Sequence, residues 1–307
     1  MEIDYFQVEK RINAISSAVL SELQRILSKY LDKSGLYYRI FSRLKSGQSA
    51  VKKIKEKGYP DSGRLMQDLV GIRATLYFQD DVDICISIIR QNFEVSEIVQ
   101  DPVEIDTFRP VRLNIVCKMP DTAIRMIDPT VWELPIDKTF EIQLRTVFSE
   151  GWHEIEHDLR YKSQKDWDDF TDLSRSFNGI FAVLETCDWS ILKILDELSY
   201  EKYKRHDWLA MIKNHYRIRI EPSELDSAVT NLLDHDLELA KKVFRANRAE
   251  LLLFLSSNKT SPFPKNLNNI IYIINALSIN NADLLEITPD ILKKQVENYL
   301  QDRAITE

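Results

Sequence analysis

Over residues 5–31 apolar side chains recur at helical spacing (Phe6, Ile12, Ile15, Val19, Leu20, Leu23, Ile26, Leu27), and that period predicts an opening amphipathic helix. From residue 36 to about 145 the period shortens towards two. Segments 37–45, 71–78, 111–119 and 139–145 each alternate apolar with polar positions, the mark of a half-buried strand, and the intervening 49–58, 62–67 and 82–92 read as helices. From 146 onward helical spacing returns and persists, and no glycine lies beyond 179. The expected architecture is α+β: a mixed β-sheet flanked by helices within a domain of residues 1–200, then an all-α accessory region over 201–307. Breaks are expected at 199–206, where charges cluster, and at 256–265, where Ser, Asn and Pro cluster. The apolar runs 251–255 and 270–277 supply the core of a small helical bundle and are too short to span a bilayer.

Alternation also sorts side chains onto two faces. In 139–145, Phe140, Ile142 and Leu144 take one face, so Glu141, Gln143 and Arg145 take the other. In 71–78, Arg73, Thr75 and Tyr77 oppose Ile72, Ala74, Leu76 and Phe78, with Asp68 just upstream. Arg39, Arg43 and Lys45 align in the first strand, and Arg112, Asn114 and Lys118 in the third. A solvated outer face of an antiparallel sheet has this look. So does a phosphate site, because clustered cations suit polyphosphate and a pair of carboxylates suits a magnesium ion bridging phosphate oxygens.

Composition narrows the chemistry. The 307 residues carry 48 acidic and 41 basic side chains, a formal charge of −7, which argues against a general nucleic-acid coat protein. Only seven glycines occur, and neither G-x-x-x-x-G-K-[ST] nor G-x-G-x-x-G is present, so any phosphate must be held by side chains rather than by a glycine-rich loop. Cys85, Cys117 and Cys187 are sparse and odd in number, and are expected to be reduced core thiols. The acidic start lacks the features of a signal peptide, so a soluble cytoplasmic protein without a membrane segment is expected.

Three segments, in order, resemble a known family. Arg43-Leu44-Lys45-Ser46-Gly47-Gln48-Ser49-Ala50-Val51-Lys52-Lys53 fits R-x-K-S-x-x-S-x-x-x-K, and Asp68-Leu69-Val70-Gly71-Ile72-Arg73 fits D-L-x-G-x-R. Glu141-Ile142-Gln143-Leu144-Arg145-Thr146, followed by Trp152, Glu156-His157 and Tyr161-Lys162, fits E-I-Q-x-R-T…W…E-H…Y-K. Together they resemble the nucleotidyltransferase-like synthetase domain of RelA/SpoT-type alarmone synthetases, over roughly residues 36–165. The resemblance implies transfer of the β,γ-pyrophosphate of ATP to the 3′-hydroxyl of a guanosine nucleotide, with Mg²⁺ as cofactor. It implies that Asp68 and Glu141 hold the metal, with Glu141 also near the attacking hydroxyl. Arg43, Lys45, Ser49 and Lys53 then line the ATP side and Arg73 holds phosphates. Gln143 and Arg145 are candidate substrate contacts or structural partners of the site, and Ser49 is equally readable as a helix N-cap.

The acceptor side departs from the family pattern. Where K-x-N/K-G-Y-x-S-x-H is usual, this chain has Glu104-Ile105-Asp106-Thr107-Phe108-Arg109-Pro110-Val111-Arg112, in which Phe108 can replace the stacking tyrosine and Arg112 stands at the histidine position. Toxic relatives that pyrophosphorylate tRNA 3′ ends or adenosine nucleotides, in settings such as phage defence, are the alternative the resemblance implies, and a nucleotide sensor that has lost transfer is another. A tRNA acceptor requires a basic surface. The candidate is Lys202, Lys204, Arg205, Lys213, Arg217 and Arg219 with Tyr203, Trp208 and Tyr216, which reads equally as a solvated helix face with its aromatics turned inward. His153-Glu154-Ile155-Glu156-His157 matches H-E-x-x-H, but charged neighbours and the expected burial of Phe148, Trp152, Ile155 and Leu159 speak against a zinc protease. His206-Asp207 lacks the preceding His/Asp set of a (p)ppGpp hydrolase. His215 and His235 read as surface or capping residues, and the C-terminal helices as a place for a regulatory partner or a second copy.

Overall fold

A computed structural model describes residues 4–101, 113–257 and 263–306. The helix expected over 5–31 is two. Helix α1 (Tyr5–Asn13) is capped by Asp4, whose carboxylate accepts from the Phe6 and Gln7 N–H groups. Ser16 then accepts from Ala18 N–H and starts α2 (Ala18–Ser34), since serine competes with the helix interior and favours its end. Next come β1 (Tyr38–Leu44), α3 (Gly47–Glu56), the single-turn α4 (Tyr59–Ser62), β2 (Val70–Leu76), α5 (Asp81–Asn92) and β3 (Val95–Gln100). Then follow β4 (Leu113–Lys118), α6 (Asp121–Ile124), β5 (Thr139–Thr146), α7 (Val147–Glu156) and the 34-residue α8 (Thr171–Lys204). The last helices are α9 (Trp208–Tyr216), α10 (Ser227–His235), α11 (Leu237–Arg245), α12 (Arg248–Ser256), α13 (Leu267–Ile274), α14 (Ala282–Ile287) and α15 (Asp290–Thr306).

The five strands form one mixed sheet in the order β1-β2-β5-β4-β3, with β2 and β5 parallel and the other pairs antiparallel. The mixed sheet with flanking helices is the expected α+β class. Strand β3 escaped the sequence reading because it is an edge strand with a register shift between Val95 and Glu97, so its exposure does not alternate. The helix expected over 62–67 is absent. Helix α4 ends at Gly63, whose φ of 67° glycine adopts without strain, and Met66 pairs in parallel with Ile136.

Chain contacts group into two compact units. The first comprises residues 1–29, 38–77 and 93–185, the second 30–37, 78–92 and 186–307. The sequence pattern had one boundary at 200, whereas α8 runs through the division near 185 and continues past Ser199 to Lys204. In the first unit Ile72, Ala74, Phe140 and Ile142 are fully buried beneath the sheet. Trp152 of α7 packs between Phe177 and Phe181, ring centroids 5.1 and 5.0 Å away. The expected stripe on that helix is not wholly buried: Ile155 is exposed within α7, and Leu159 is exposed where the chain widens into a π-turn over residues 157–161 that shifts the helical phase.

In the second unit Leu251, Leu252, Phe254, Ile270, Ile271 and Ile273 are buried, as expected of the two apolar runs. Its polar centre is an ion cluster. Arg217 binds Asp196 at 3.1 Å and Asp80 at 2.5 Å, and Arg248 binds Asp81 at 2.5 Å while its Nε donates to the Tyr216 carbonyl at 2.6 Å. Burial pushes the Asp81 carboxyl upward, against the opposing field of Arg248. His215 is not a surface residue: its ring lies 5.0 Å from Phe244, and burial lowers its pKa to about 4. Cys85 and Cys117 are fully buried, whereas Cys187 on α8 is half-buried rather than part of the core. Among the described residues, no helix is long and apolar enough to cross a membrane.

Candidate active site

The strand register sets the polar face of the sheet in rows. Arg43 stands opposite Gly71, and Gly71 opposite Glu141. In the next row Phe41, Arg73, Gln143 and Asn114 are neighbours, and in the next Arg39, Thr75 and Arg145. Gly71 leaves open the space beside Glu141: a Cβ there would lie 3.9 Å from Arg43 Nε, so the guanidinium arm lies over this glycine. Phe41 is an addition to the expected set, an aromatic ring 56 % exposed between Arg39 and Arg43.

Asp68 reaches this face by a break in the strand pattern. In an unbroken strand it shares the face of Val70 and Ile72, both fully buried. The chain bends at Leu69, whose carbonyl accepts the Lys45 N–H at 2.9 Å, and Asp68 emerges beside two lysines. Lys53 Nζ is 2.7 Å and Lys45 Nζ 3.2 Å from the same carboxylate oxygen, Oδ2. Oδ1 is buried and accepts no hydrogen bond among the described residues. Burial opposes ionisation of Asp68, but the hydrogen bond from Lys53 and the fields of Lys45 and Lys53 outweigh it and hold its pKa below the usual carboxylate range.

Lys53 is delivered by α3. Ser46 caps that helix by accepting from Ser49 N–H, which corrects the reading of Ser49 as the cap. Ser49 is instead an exposed first-turn residue whose hydroxyl accepts from Ser46 Oγ at 2.8 Å, one turn before Lys53. The position of α3 depends on Gly47, which packs against α1 so closely that a Cβ would meet the Glu9 carbonyl oxygen at 2.6 Å.

The other half of the site is a hydrogen-bonded chain. Gln143 donates to Glu141 at 2.6 Å and accepts from Arg73 Nε at 3.5 Å. Arg73 also binds Glu150 and Glu154 of α7, and Arg145 binds Glu150 at 3.2 Å. Thr146 and Ser149 cap α7 reciprocally and so aim Glu150 and Glu154 back at the two arginines. Burial depresses the Arg145 pKa, reinforced by the neighbouring Arg73, whereas Glu150 offsets burial at Arg73 and raises it. Glu150 and Glu154 were missed in the sequence reading, although two carboxylates one turn apart directly after the Glu-Ile-Gln-Leu-Arg-Thr strand were a usable signal. His153 stacks on His157 and His157 on Tyr161, at 5.9 and 5.8 Å, and burial beside Arg145 and Arg73 lowers the His153 pKa to about 4.

The structure therefore brings Lys45, Lys53 and Asp68 into one cluster and Arg73, Glu141, Gln143 and Arg145 into another, with Arg43 on the same face over Gly71. Phe108 and Arg112 lie outside the described residues. Electrostatically the two clusters differ. Lys45 and Lys53 share Asp68, and Arg43 has no ion-pair partner among the described residues, whereas Arg73 is matched by Glu150 and Glu154 and Arg145 by Glu150. Among the described residues no three His, Cys, Asp or Glu side chains are grouped to hold a metal by themselves. The vacant oxygen of Asp68 and the carboxylate of Glu141 fit magnesium nonetheless, since that ion commonly takes one or two protein carboxylates and completes its shell with water and phosphate.

The expected basic surface over 202–219 is not a continuous one. Lys202 pairs with Asp207, Lys204 with Glu201, and Arg217 is buried on two aspartates. Of its three expected aromatics, Trp208 and Tyr216 are 2 % exposed and only Tyr203 is half-buried, which leaves little for a single strand to stack on.

The chain is similar to several known proteins. The family described as a region found in RelA/SpoT proteins matches residues 42–166. A GTP pyrophosphokinase of Bacillus subtilis (strain 168), YwaC, is 26% identical over 132 residues, 41% of this chain and 59% of that protein, so the match spans about three-fifths of the relative. Solved structures that align include small alarmone synthetase 1 from B. subtilis, at 22% identity, covering 62% of this chain and 91% of that one, with a TM-score of 0.44. Small alarmone synthetase 2 from the same organism aligns at 20% identity over 64% of this chain and 100% of that one, with a TM-score of 0.46. A GTP pyrophosphokinase family protein from Streptococcus pneumoniae aligns at 20% identity over 64% and 95%, with a TM-score of 0.44. The three ordered motifs all lie within residues 42–166, the part of the chain that is similar to the region found in RelA/SpoT proteins.

Proposed function

We propose that this chain is an ATP-dependent pyrophosphotransferase that moves the β,γ-pyrophosphate of ATP to the 3′-hydroxyl of a guanosine nucleotide. The observation that carries the reading is the cation-rich end of the polar face, where Lys45 and Lys53 bind Asp68, a carboxylate with one oxygen that accepts no hydrogen bond among the described residues, and Arg43 lies over Gly71, the glycine that faces Glu141. Arg43, Lys45 and Lys53 neutralise the triphosphate, and Ser49 offers a hydroxyl one turn before Lys53. Phe41 supplies an exposed ring beside the phosphate site on which a nucleobase stacks. Asp68 Oδ1 and Glu141 are the residues that hold magnesium, which when bound neutralises phosphate charge and orients the transferred group. Glu141, held by Gln143, takes the proton of the attacking 3′-hydroxyl; the new bond forms to the β-phosphorus of ATP, the bond from that phosphorus to the α-phosphate oxygen breaks, and AMP leaves. The Arg73–Arg145–Glu150–Glu154 network fixes the strand that presents Glu141, and catalysis rests on positioning and charge neutralisation.

Incubation with γ-labelled ATP and GDP, GTP, an adenosine nucleotide or bulk tRNA tests this. Label in a guanosine nucleotide is expected, reduced about 100-fold or more in kcat by Asp68→Asn and by Glu141→Gln. Label only in tRNA or in an adenosine nucleotide replaces the guanosine acceptor, and nucleotide binding without transfer to any acceptor replaces the enzyme by a sensor. The engagement of Lys202, Lys204 and Arg217 by carboxylates supports a free nucleotide over tRNA.

A further inference from the structure

The helical unit carries a cleft of about 420 Å³ in which three cations meet one carboxylate, and all of its lining residues belong to the second compact unit. One wall is α11. Leu239, Ala240 and Val243 of that helix are buried, so Glu238, Lys241, Lys242 and Arg245, at i, i+3, i+4 and i+7, share its outward face. Ala246, Ser278 and Ile279 complete the lining. Ser278 and Ile279 belong to a π-turn (Asn275–Ile279) that continues α13, and this turn is held from within. Asn275 is fully buried; its amide donates to the Asn281 carbonyl at 3.0 Å and accepts the Asn281 N–H at 2.9 Å. Asn280 closes the turn at a φ of 56°, a conformation asparagine tolerates, and its N–H donates to the Asn275 carbonyl at 2.8 Å. A π-turn shifts the helical phase of the residues it carries, and such turns recur at functional sites.

We propose that this cleft binds a phosphate monoester of about mononucleotide size, with Lys242 and Arg245 on the phosphate and Ala246 and Ile279 against the rest of the molecule. Charge selects the sign of the ligand. Lys241 is shared with Glu238 at 3.2 Å, whereas Lys242 and Arg245 are exposed and have no ion-pair partner among the described residues. Three cations against one carboxylate leave an excess of two positive charges. That excess matches a phosphate monoester, which carries about −1.5 to −2 near neutral pH, better than a single carboxylate. The planar fork of an arginine beside a lysine ammonium also suits three phosphate oxygens. Basic residues in the last turn of a helix are ordinary, because they complement its dipole. That role asks for no opposing wall, and here the π-turn supplies one. Size then separates an ester from a free anion: the cleft falls in the range of small-molecule sites, about 300–1,000 Å³, and Ala246 and Ile279 give an organic group a surface to cover. The site is independent of the proposed transfer reaction, whose residues belong to the first compact unit.

Acetylation of lysines in the full chain by an amine-reactive ester, read by mass spectrometry, tests the site residue by residue. Saturating AMP is expected to slow labelling of Lys242 about threefold or more, with Lys204, which pairs with Glu201 outside the cleft, unchanged. Inorganic phosphate should need about tenfold more to reach the same protection, because it leaves Ala246 and Ile279 uncovered. Arg245→Gln should weaken the protection of Lys242 by about tenfold, with circular dichroism and Tm unchanged because the residue is exposed. Labelling of Lys45 and Lys53 reads the phosphate site of the sheet in the same samples, so the two readings fail separately. Unchanged labelling of Lys242 with AMP, equal protection by sodium chloride at matched ionic strength, inorganic phosphate as effective as AMP, or protection that Arg245→Gln leaves intact overturns the proposal.

Discussion

Gly47 offers the most direct test of how the fold positions the phosphate site. It opens α3 against α1, and its N–H donates to Asn13 Oδ1 at 2.9 Å. A methyl group there would meet the Glu9 carbonyl oxygen at 2.6 Å, Glu9 Cγ at 2.8 Å and Asn13 Oδ1 at 2.9 Å. The closest of these is backbone, so no rotamer change relieves it and the two helices must separate. Overpacking of this kind costs about 1–3 kcal/mol. Weakening of the Gly47–Asn13 hydrogen bond adds about 1 kcal/mol, and the lower chain entropy of alanine offsets about 0.5–1 kcal/mol. Gly47→Ala is therefore expected to destabilise the protein by about 1–3 kcal/mol, a fall in Tm of several degrees at about 2–4 °C per kcal/mol. The same displacement moves Lys53 away from Asp68, so under the proposed activity the KM for ATP should rise more than kcat falls. Differential scanning fluorimetry and initial-rate kinetics read the two effects. Asn13→Ala combined with Gly47→Ala should fail to restore either, because the Glu9 carbonyl remains. A Tm equal to or above that of the unmodified chain would show that α1 and α3 do not depend on this close approach.

Other positions make further demands. Lys53→Met leaves Asp68 with Lys45 alone and should raise the KM for ATP about tenfold with the fold intact, as measured by nucleotide titration and Tm. His153 and His215 both have native pKa values lowered to about 4 by burial, against 6.5 in the unfolded chain. The unfolded state thus takes protons first: their stabilisation is full above pH 6.5 and is lost as pH falls towards 4, by about 2–3 kcal/mol for each. Urea midpoints at pH 7 and 5 should show this loss, and His215→Gln should flatten it; equal midpoints in the unmodified chain would contradict it. Arg248→Met strands the buried Asp81 carboxylate and should cost about 3–5 kcal/mol, whereas Arg248→Met with Asp81→Leu should recover most of that in denaturant melts.

The sheet was legible wherever one face is buried and the other is not. Strand β5 and the first part of β2 alternate cleanly because Ile72, Ala74, Phe140 and Ile142 are sealed and Arg73, Glu141 and Gln143 are not, although Thr75 at the end of β2 is buried. Edge strand β3 lacks that contrast, and so does the far end of the α7 stripe, where Ile155 is exposed and a π-turn then shifts the phase and exposes Leu159. Asp68 is the instructive residue. Periodicity alone assigns it to the buried face with Val70, and only its place in Asp68-Leu69-Val70-Gly71-Ile72-Arg73 marked it as a site residue. The bend at Leu69 reconciles the two, and such a bend leaves no trace in a pattern of apolar positions.

Charge was the least legible property, because a list of lysines and arginines does not say which are buried. The cations of 202–219 resemble a nucleic-acid surface in one dimension. In three, Arg217 finds Asp80, 137 residues earlier in the chain, and Arg248 finds Asp81 beside it. Both aspartates precede or open α5, the helix that follows β2 in the chain, so the residues directly after the Arg73 strand are committed to the helical unit rather than to the sheet. A RelA/SpoT-type motif search stops at local sequence and does not see this commitment. It follows that substitutions at Arg217 or Arg248, far from every motif residue in the sequence, act on the segment that leaves β2.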